Sequence, residues 1–161
     1  MMEKEILRLL MDNARMPATE IAERLGISEA AAAAAISKLE KNNIIKGYTA
    51  VINEDELDEN RVMAIIEVKV TPQREGGFDG VARRISKFPE VSEVYLVSGG
   101  YDLRIEVNGQ NLNEVALFVS SKLSTIEGVI STVTHFLLKK YKEAGKIIHD
   151  EEEYERLKIS P

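Results

Sequence analysis

Cysteine and tryptophan are both absent from this chain of 161 residues. The lack of cysteine excludes disulfide bridges, thiolate zinc sites and cysteine nucleophiles. The apolar runs fall far short of the roughly 20 residues that a membrane-spanning helix needs. The first residues, Met1 to Glu5, are acidic where a secretory signal would be basic. We therefore expect a soluble cytoplasmic protein with no membrane contact.

A surplus of positive charge is also absent, since 21 basic residues meet 27 acidic ones for a net charge of −6. Residues 1–52 carry seven of each sign, and residues 53–60 carry five acids and no base. From residue 61 onward, fourteen bases meet fifteen acids. Charge alone argues weakly against a nucleic-acid partner. Any claim of DNA binding must therefore rest on a motif.

Three helices are predicted in residues 1–52. Apolar residues recur at helical spacing from Lys4 to Asn13 and from Pro17 to Leu25, after which Gly26 favours a left-handed turn. Ser28 is placed to cap a third helix, which contains six consecutive alanines. Four of these alanines are predicted on its outer face, namely Ala30, Ala31, Ala34 and Ala35. The order helix, glycine turn, helix is typical of a helix-turn-helix.

The apolar pattern then changes. Residues Ile44 to Ile52 predict a short β-strand that leaves the helical region. The acidic run 53–60 predicts a solvated linker or a short hinge helix. We therefore predict a first domain over residues 1–52, a linker over 53–60, a second domain over 61–140 and a charged tail over 141–161.

The second domain contains an internal repeat of strand, helix and strand. The first unit runs from a strand at Val62 to Val70 through a helix ended by Pro89 to a strand at Val91 to Val97. The second begins with a strand at Leu103 to Val107. Its helix starts with a capping-box pair, Asn111 and Glu114, and its last strand is Val129 to Leu138. Gly99 and Gly100 suit a two-residue hairpin turn between the units.

Two such units describe a ferredoxin-like βαββαβ domain with helices on one face of its sheet. The other face needs a cover, so we expect a homodimer or a higher even-numbered homo-oligomer. The last strand is predicted to contribute to that interface, with Phe136 as a candidate contact. His135 on this strand is interpreted as a half-buried histidine, and we predict no metal site, no cofactor and no catalytic residue.

Several motifs resemble the leucine-responsive regulator (Lrp/AsnC) family. They are Ile21 to Ser28, Ile36 to Glu40, Ile44 to Tyr48, and Ser98 to Leu103. The resemblance covers the chain up to about Ala144. It implies an α+β protein with an N-terminal winged helix-turn-helix and a C-terminal ferredoxin-like sensing domain. It further implies a transcriptional regulator that binds double-stranded DNA as a dimer or larger assembly, with an amino acid or similar effector bound between sensing domains.

The third helix departs from the family pattern. Family members commonly carry arginine near the places of Ala34 and Ala35, and often glycine at the place of Asn43. Direct base contacts are thereby limited to short side chains and a few polar ones. The candidate DNA-binding residues are Arg15, Thr19, Ser28, Ala30, Ala31, Ala34, Ser37, Lys38 and Lys41. Thr19 has an equally good interpretation as a helix cap, and Lys38 and Lys41 as solvated charges.

The candidate effector-binding residues are Ser98, Gly99, Gly100, Tyr101 and Asp102. Turn geometry alone also explains the two glycines and the aspartate. Two other functions stay open. The chain could be a sensing paralogue that binds DNA only with a partner, because its third helix is rich in alanine. It could also be an enzyme, since some proteins that resemble this family decarboxylate tetrapyrroles, although only His135 would serve that chemistry.

Overall fold

The computed structural model describes residues 2–57, 61–72 and 76–149. Its contacts divide the chain into two compact units, residues 1–52 and 53–161. Across the described ranges, every helix is too short or too polar to cross a membrane.

The first unit is a three-helix domain. Its helices are Met2–Asp12 (α1), Ala18–Leu25 (α2) and Glu29–Lys41 (α3). Apolar side chains from all three helices meet in one core, which contains Ile6, Leu10, Met16, Ile21, Ala22, Ala32, Ala35 and Leu39. The helical spacing of these residues in the sequence explains why each helix turns one face inward.

The turn between α2 and α3 confirms the prediction from the sequence. Gly26 has a φ of 64°, in the left-handed region where glycine has no Cβ to clash. Ser28 precedes α3, and its hydroxyl oxygen accepts a hydrogen bond from the Ala31 N–H at 3.2 Å. The serine thus satisfies one of the donors left free in the first turn of α3.

The predicted strand from Ile44 to Ile52 is wrong, because this segment forms no β-ladder. Asn43 ends the α3 region with a φ of 55°, which is the conformation that favours glycine at this point. The backbone then runs on with no neighbouring strand in residues 2–52 to pair with. A strand needs such a partner for its N–H and C=O groups, so pattern alone could not produce one.

The second unit confirms the ferredoxin-like prediction. Its main elements are β1 (Val62–Val70), α4 (Asp79–Ile85), β2 (Val91–Leu96), β3 (Leu103–Gly109), α5 (Leu112–Phe118) and β4 (Val129–Phe136). The four strands form one antiparallel sheet in the order β2-β3-β1-β4. Alternate residues of β1 and β3 are buried against the helices, so one face of the sheet forms the core.

The start of α5 confirms the predicted cap. The Asn111 side chain accepts a hydrogen bond from the Glu114 N–H at 3.0 Å. The Glu114 carboxylate accepts from the Gln110 N–H, one residue earlier than in a standard capping box. After Phe118 the helix widens into a π-helical turn, Val119–Leu123, before the chain reaches β4.

The ends of the second unit carry smaller elements. Residues Glu54–Leu57 form a single 3-10 turn, whereas the rest of the predicted linker, residues 58–60, lies outside the described residues. Part of the predicted tail is a hairpin of β5 (Lys142–Glu143) and β6 (Lys146–Ile147). Ala144 and Gly145 connect these strands with φ values of 43° and 79°. Two positive φ values are the signature of a type I′ turn. The rest of the tail, from residue 150 on, lies outside the described residues.

Candidate functional site

The outer face of α3 is lined by short side chains and two lysines. Ala35 is only 6% exposed and belongs to the core, so its predicted outward position is wrong. Ala31 is half-buried. The buried positions are Ala32, Ala35 and Leu39, which recur at helical spacing. Because Leu39 is apolar, the same spacing taken backwards from it predicts that Ala35 and Ala32 are buried too. We define the α3 outer face by six exposed residues of the helix, which are Ala30, Ala33, Ala34, Ser37, Lys38 and Lys41. The two acids of the helix, Glu29 and Glu40, are exposed as well.

The two lysines of this face differ in their surroundings. The Lys38 ammonium donates a hydrogen bond to the Glu3 carboxylate at 2.8 Å, across from α3 to α1. This contact with Glu3 raises the pKa of Lys38, and the same contact with Lys38 lowers the pKa of Glu3. Lys41 is exposed, and the structure records no ion pair for it within the described ranges. The sequence did not reveal the Glu3 contact, because the two residues lie far apart in the chain.

The beginning of α2 has no side-chain cap. Pro17 occupies the cap position, and Thr19 lies exposed inside the first turn, so its interpretation as a cap is wrong. Arg15 is also exposed, and its backbone N–H donates to the Asn13 side-chain oxygen at 3.0 Å. The first-turn N–H groups of α2 thus keep their hydrogen-bonding capacity for an outside acceptor.

The segment that follows α3 is held to that helix by hydrogen bonds from the Ile44 and Ile45 N–H groups to the Leu39 carbonyl, and by one side-chain hydrogen bond. The Tyr48 hydroxyl donates to the Glu40 carboxylate at 2.9 Å. Partial burial and the neighbouring Glu40 both raise the pKa of Tyr48. Sequence reasoning missed this contact, which no local motif announces. Ile44, Tyr48 and Ile52 nevertheless remain about half exposed.

The loop from Val97 to Asp102 replaces the predicted two-residue turn. The Asp102 carboxylate accepts a hydrogen bond from the Val70 N–H at 2.8 Å, and the Asp102 N–H donates to the Val68 carbonyl at 3.1 Å. The Val97 N–H donates to the Asp102 carbonyl at 2.9 Å. These bonds hold Asp102 against β1, which lengthens the loop to six residues. Asp102 therefore positions the loop, and one of its oxygens is already occupied.

The middle of this 97–102 loop keeps its backbone donors free. Ser98, Gly99 and Gly100 are exposed, and Tyr101 is half-buried. None of these four residues donates a backbone hydrogen bond to another described residue. A carboxylate is the kind of group that successive unpaired N–H donors bind. Four of the five candidate effector residues thus have backbone N–H groups that donate to no partner among the described residues.

The uncovered face of the sheet mixes apolar and charged side chains. Glu67 of β1 lies 3.3 Å from His135 of β4, whose imidazole is 53% exposed. The Arg104 guanidinium stacks 5.5 Å from the centre of the Tyr95 ring. Nowhere in residues 2–57, 61–72 and 76–149 do three metal-ligating side chains gather. The uncovered face thus presents both charged and apolar side chains.

Three helices joined by a left-handed glycine turn, together with a ferredoxin-like domain, define a helix-turn-helix regulator with a sensing domain. Comparison with protein families supports this class. Residues 2–46 match the winged helix-turn-helix DNA-binding model, and residues 63–147 match the Lrp/AsnC ligand binding domain. The chain belongs to the Lrp/AsnC family of transcriptional regulators. The names within this family are those of DNA-binding regulators rather than enzymes.

Similar proteins cover nearly the whole chain. An uncharacterised HTH-type transcriptional regulator, YugG of Bacillus subtilis, is 46% identical over 99% of this chain and 96% of its own length. The leucine response regulatory protein of Mycobacterium tuberculosis has a similar fold, with a TM-score of 0.70 and 21% identity over 92% of this chain and 98% of that chain. A Neisseria meningitidis regulator solved in complex with L-Met has a TM-score of 0.65 and 24% identity, over 88% and 91% of the two chains.

Proposed function

We propose that this regulator contacts DNA with the α3 outer face. Its exposed alanines let the helix backbone come close to a groove, and Ser37, Lys38 and Lys41 supply the polar contacts. Arginine, asparagine and glutamine, which read bases in pairs of hydrogen bonds, are absent from the α3 outer face. Affinity then comes mainly from phosphate contacts and DNA shape. A role in DNA binding also agrees with the cytoplasmic location expected from the sequence.

The start of α2 supports the same orientation. Its uncapped N–H groups attract an anion, because a helix N-terminus carries partial positive charge. Arg15 and Thr19 are exposed beside these donors. A phosphate at this point would fix the register of the helix-turn-helix on the duplex. Ser28 contributes by capping α3, and its oxygen is engaged in that cap.

The salt dependence of DNA binding tests this proposal. Replacing Lys38 and Lys41 together by glutamate should abolish binding while the assembly remains intact. Each lost phosphate contact flattens the plot of log affinity against log salt by about 0.9. The matched control replaces Arg83 and Lys87 of the second unit by glutamate, with the same change of charge. Equal loss in both variants, or unchanged binding in the first, would contradict the proposal.

The same binding measurement distinguishes direct DNA binding from the alternative in which the chain binds DNA only with a paralogue. A purified chain that has no affinity for its own upstream region at low salt, and regains it with a co-expressed paralogue, would support that alternative. The alanine-rich α3 outer face is the observation that keeps it open. Direct binding by the purified chain would exclude the need for a partner.

We infer that the uncovered sheet face and the segment 44–52 assemble two copies of the chain. The sheet face carries Met63, Ile65 and Val133, and the segment has no strand partner of its own. Phe136 pairs with Ala64 and therefore lies on the helix side of the sheet, so Val133 is the better probe. Val133→Glu should shift the mass seen by light scattering towards monomer. A wild-type monomer at micromolar concentration would contradict the inference.

The effector is proposed to bind at the 97–102 loop through its carboxylate. The free N–H groups of Ser98 to Tyr101 are the chemical basis, and the L-Met complex of the Neisseria relative supports an amino acid. Coupling between effector and DNA is expected to change DNA affinity by about 5- to 150-fold. By the same linkage, DNA must change effector affinity equally.

A single glycine tests the effector site. A Cβ added at Gly100 meets no atom within 4 Å, so Gly100→Val should leave the fold intact and block only what approaches from outside. Screening of the twenty amino acids by thermal shift should find a stabilising ligand for wild type, and Gly100→Val should lose that response. Gly47→Val, at an equally open position in the first unit, is the matched control. A wild type that responds to none would contradict the site.

A further inference from the structure

One lysine of the α3 outer face is held by an acid of the same unit. Lys38 and Glu3 form a direct ion pair of 2.8 Å, although 35 positions separate them in the chain. Their side chains are 65% and 40% exposed. The pair therefore lies in solvent on the surface proposed to meet DNA.

The position of Glu3 is electrostatically favourable. It belongs to the first turn of α1, where a carboxylate is stabilised by the positive end of the helix dipole. A phosphate that approached Lys38 would meet the Glu3 charge at the same point. Like charges at such a distance repel, so the phosphate contact requires that the Lys38 ammonium be shared or released.

We propose that Glu3 competes with DNA phosphate for Lys38 and so limits the affinity of the regulator for DNA. This inference rests on the proposed DNA contact of the α3 outer face. Exposed ion pairs are weak enough to open when a better partner arrives. The competition thus lowers affinity without preventing binding. Lys41, which shares the face, is not subject to this competition and gives an internal reference.

The test compares two acids of α1. Glu3→Gln removes the competitor, whereas Glu5→Gln makes the same change of charge in the same helix at a residue with no ion pair among the described residues. Binding of a fluorescent duplex without operator sequence is measured by anisotropy over a range of salt. Glu3→Gln should bind about two- to fivefold more tightly than Glu5→Gln.

A second lysine variant makes the test specific. In a Lys38→Gln background, the difference between Glu3→Gln and Glu5→Gln should disappear, because no ammonium remains to be released. Equal affinities of the two acid variants in the wild-type background would overturn the proposal and assign the effect to overall charge. Weaker binding by Glu3→Gln would overturn it too, since Glu3 would then hold Lys38 in the binding position.

The two levels of inference fail in different ways. If wild type binds no duplex, or if Lys38→Gln and Lys41→Gln leave binding unchanged, the proposed DNA contact fails and this inference falls with it. If the lysine variants weaken binding but the two acid variants agree, only the competition by Glu3 is overturned. Thermal melting of each variant shows whether folding has changed.

Discussion

The two units of the chain build their cores from different side chains. Among the described residues, the first unit buries eight apolar residues, of which three are alanine. The second buries twelve, of which one is alanine. Each buried methylene group contributes about 0.8 kcal/mol, so an alanine core gives a smaller stability margin. The unit that contains the helix-turn-helix is thus also the one with the smaller core.

The second unit adds interactions that the first lacks. Phe88 and Phe118 pack edge to face at 5.5 Å between ring centres. Branched residues of β1 and β3 alternate into the same core, where such side chains pack well on a pleated surface. We therefore expect the second unit to remain folded under conditions that open the first.

The largest effect should come from a core truncation in each unit. Leu39→Ala and Leu103→Ala both remove a leucine that is at most 1% exposed, at a cost of about 2–5 kcal/mol in the free energy of unfolding. Leu39→Ala should unfold the first unit alone, because its margin is smaller. Hydrogen–deuterium exchange resolved by peptide measures this. Faster exchange in both units after Leu39→Ala would contradict the smaller stability margin of the first unit.

A smaller effect is expected from the polar contact that fixes the 97–102 loop. Asp102→Ala leaves the Val70 N–H without its acceptor, which should cost about 1–3 kcal/mol in the stability of the second unit. Asp102→Asn should cost less, because the amide oxygen still accepts. Glu127→Ala, at an exposed carboxylate, serves as the control in thermal melts. An Asp102→Ala variant as stable as that control would assign the loop geometry to other contacts.

The response to acid should differ between the units as well. Lys122 donates a hydrogen bond to Glu90 and so lowers its pKa below the usual 4.5. A carboxyl group whose pKa is depressed by folding stabilises the protein above its unfolded pKa, and this contribution is lost as pH falls through the folded pKa. The pKa of Glu3 in the first unit is also lowered, but its ion pair with Lys38 is more exposed and more strongly screened.

Melting temperatures between about pH 6 and pH 3 test this difference. Lys122→Met should make the melting temperature of the second unit fall less steeply as the pH is lowered. Lys38→Met should have a smaller effect on how the melting temperature of the first unit falls with pH. Parallel profiles for Lys122→Met and wild type would show that Glu90 contributes nothing to acid sensitivity.

The smallest effects should come from two turns. Asn43 and Ala144 are the non-glycine residues with positive φ among the described positions, one in each unit. Replacement of either by glycine should stabilise its unit by up to about 1 kcal/mol. Ala144 should gain more, because asparagine tolerates this conformation better than alanine does. Gly145→Ala, at a φ of 79°, should destabilise the β5–β6 hairpin. A destabilising Ala144→Gly would contradict this explanation.

Local rules in the sequence were sufficient for much of the fold. The left-handed turn at Gly26, the cap at Ser28 and the cap at Asn111 each follow from the chemistry of one residue and its near neighbours. The alternation of β1 and β3 likewise predicted a sheet with one buried face. Each of these features depends on backbone groups within a few positions of one residue, so it can be predicted from the sequence.

The candidate site depended on contacts between residues that are distant in the chain. The pair Asp102–Val70 spans 32 positions and the pair Lys38–Glu3 spans 35. The first turned an expected two-residue hairpin into a six-residue loop, and the second paired a lysine expected to be free. A missing partner strand also left residues 44–52 without the predicted β-structure. Sequence periodicity determined which faces are apolar, whereas tertiary structure decided which polar groups meet, because hydrogen bonds require two specific atoms within about 3 Å.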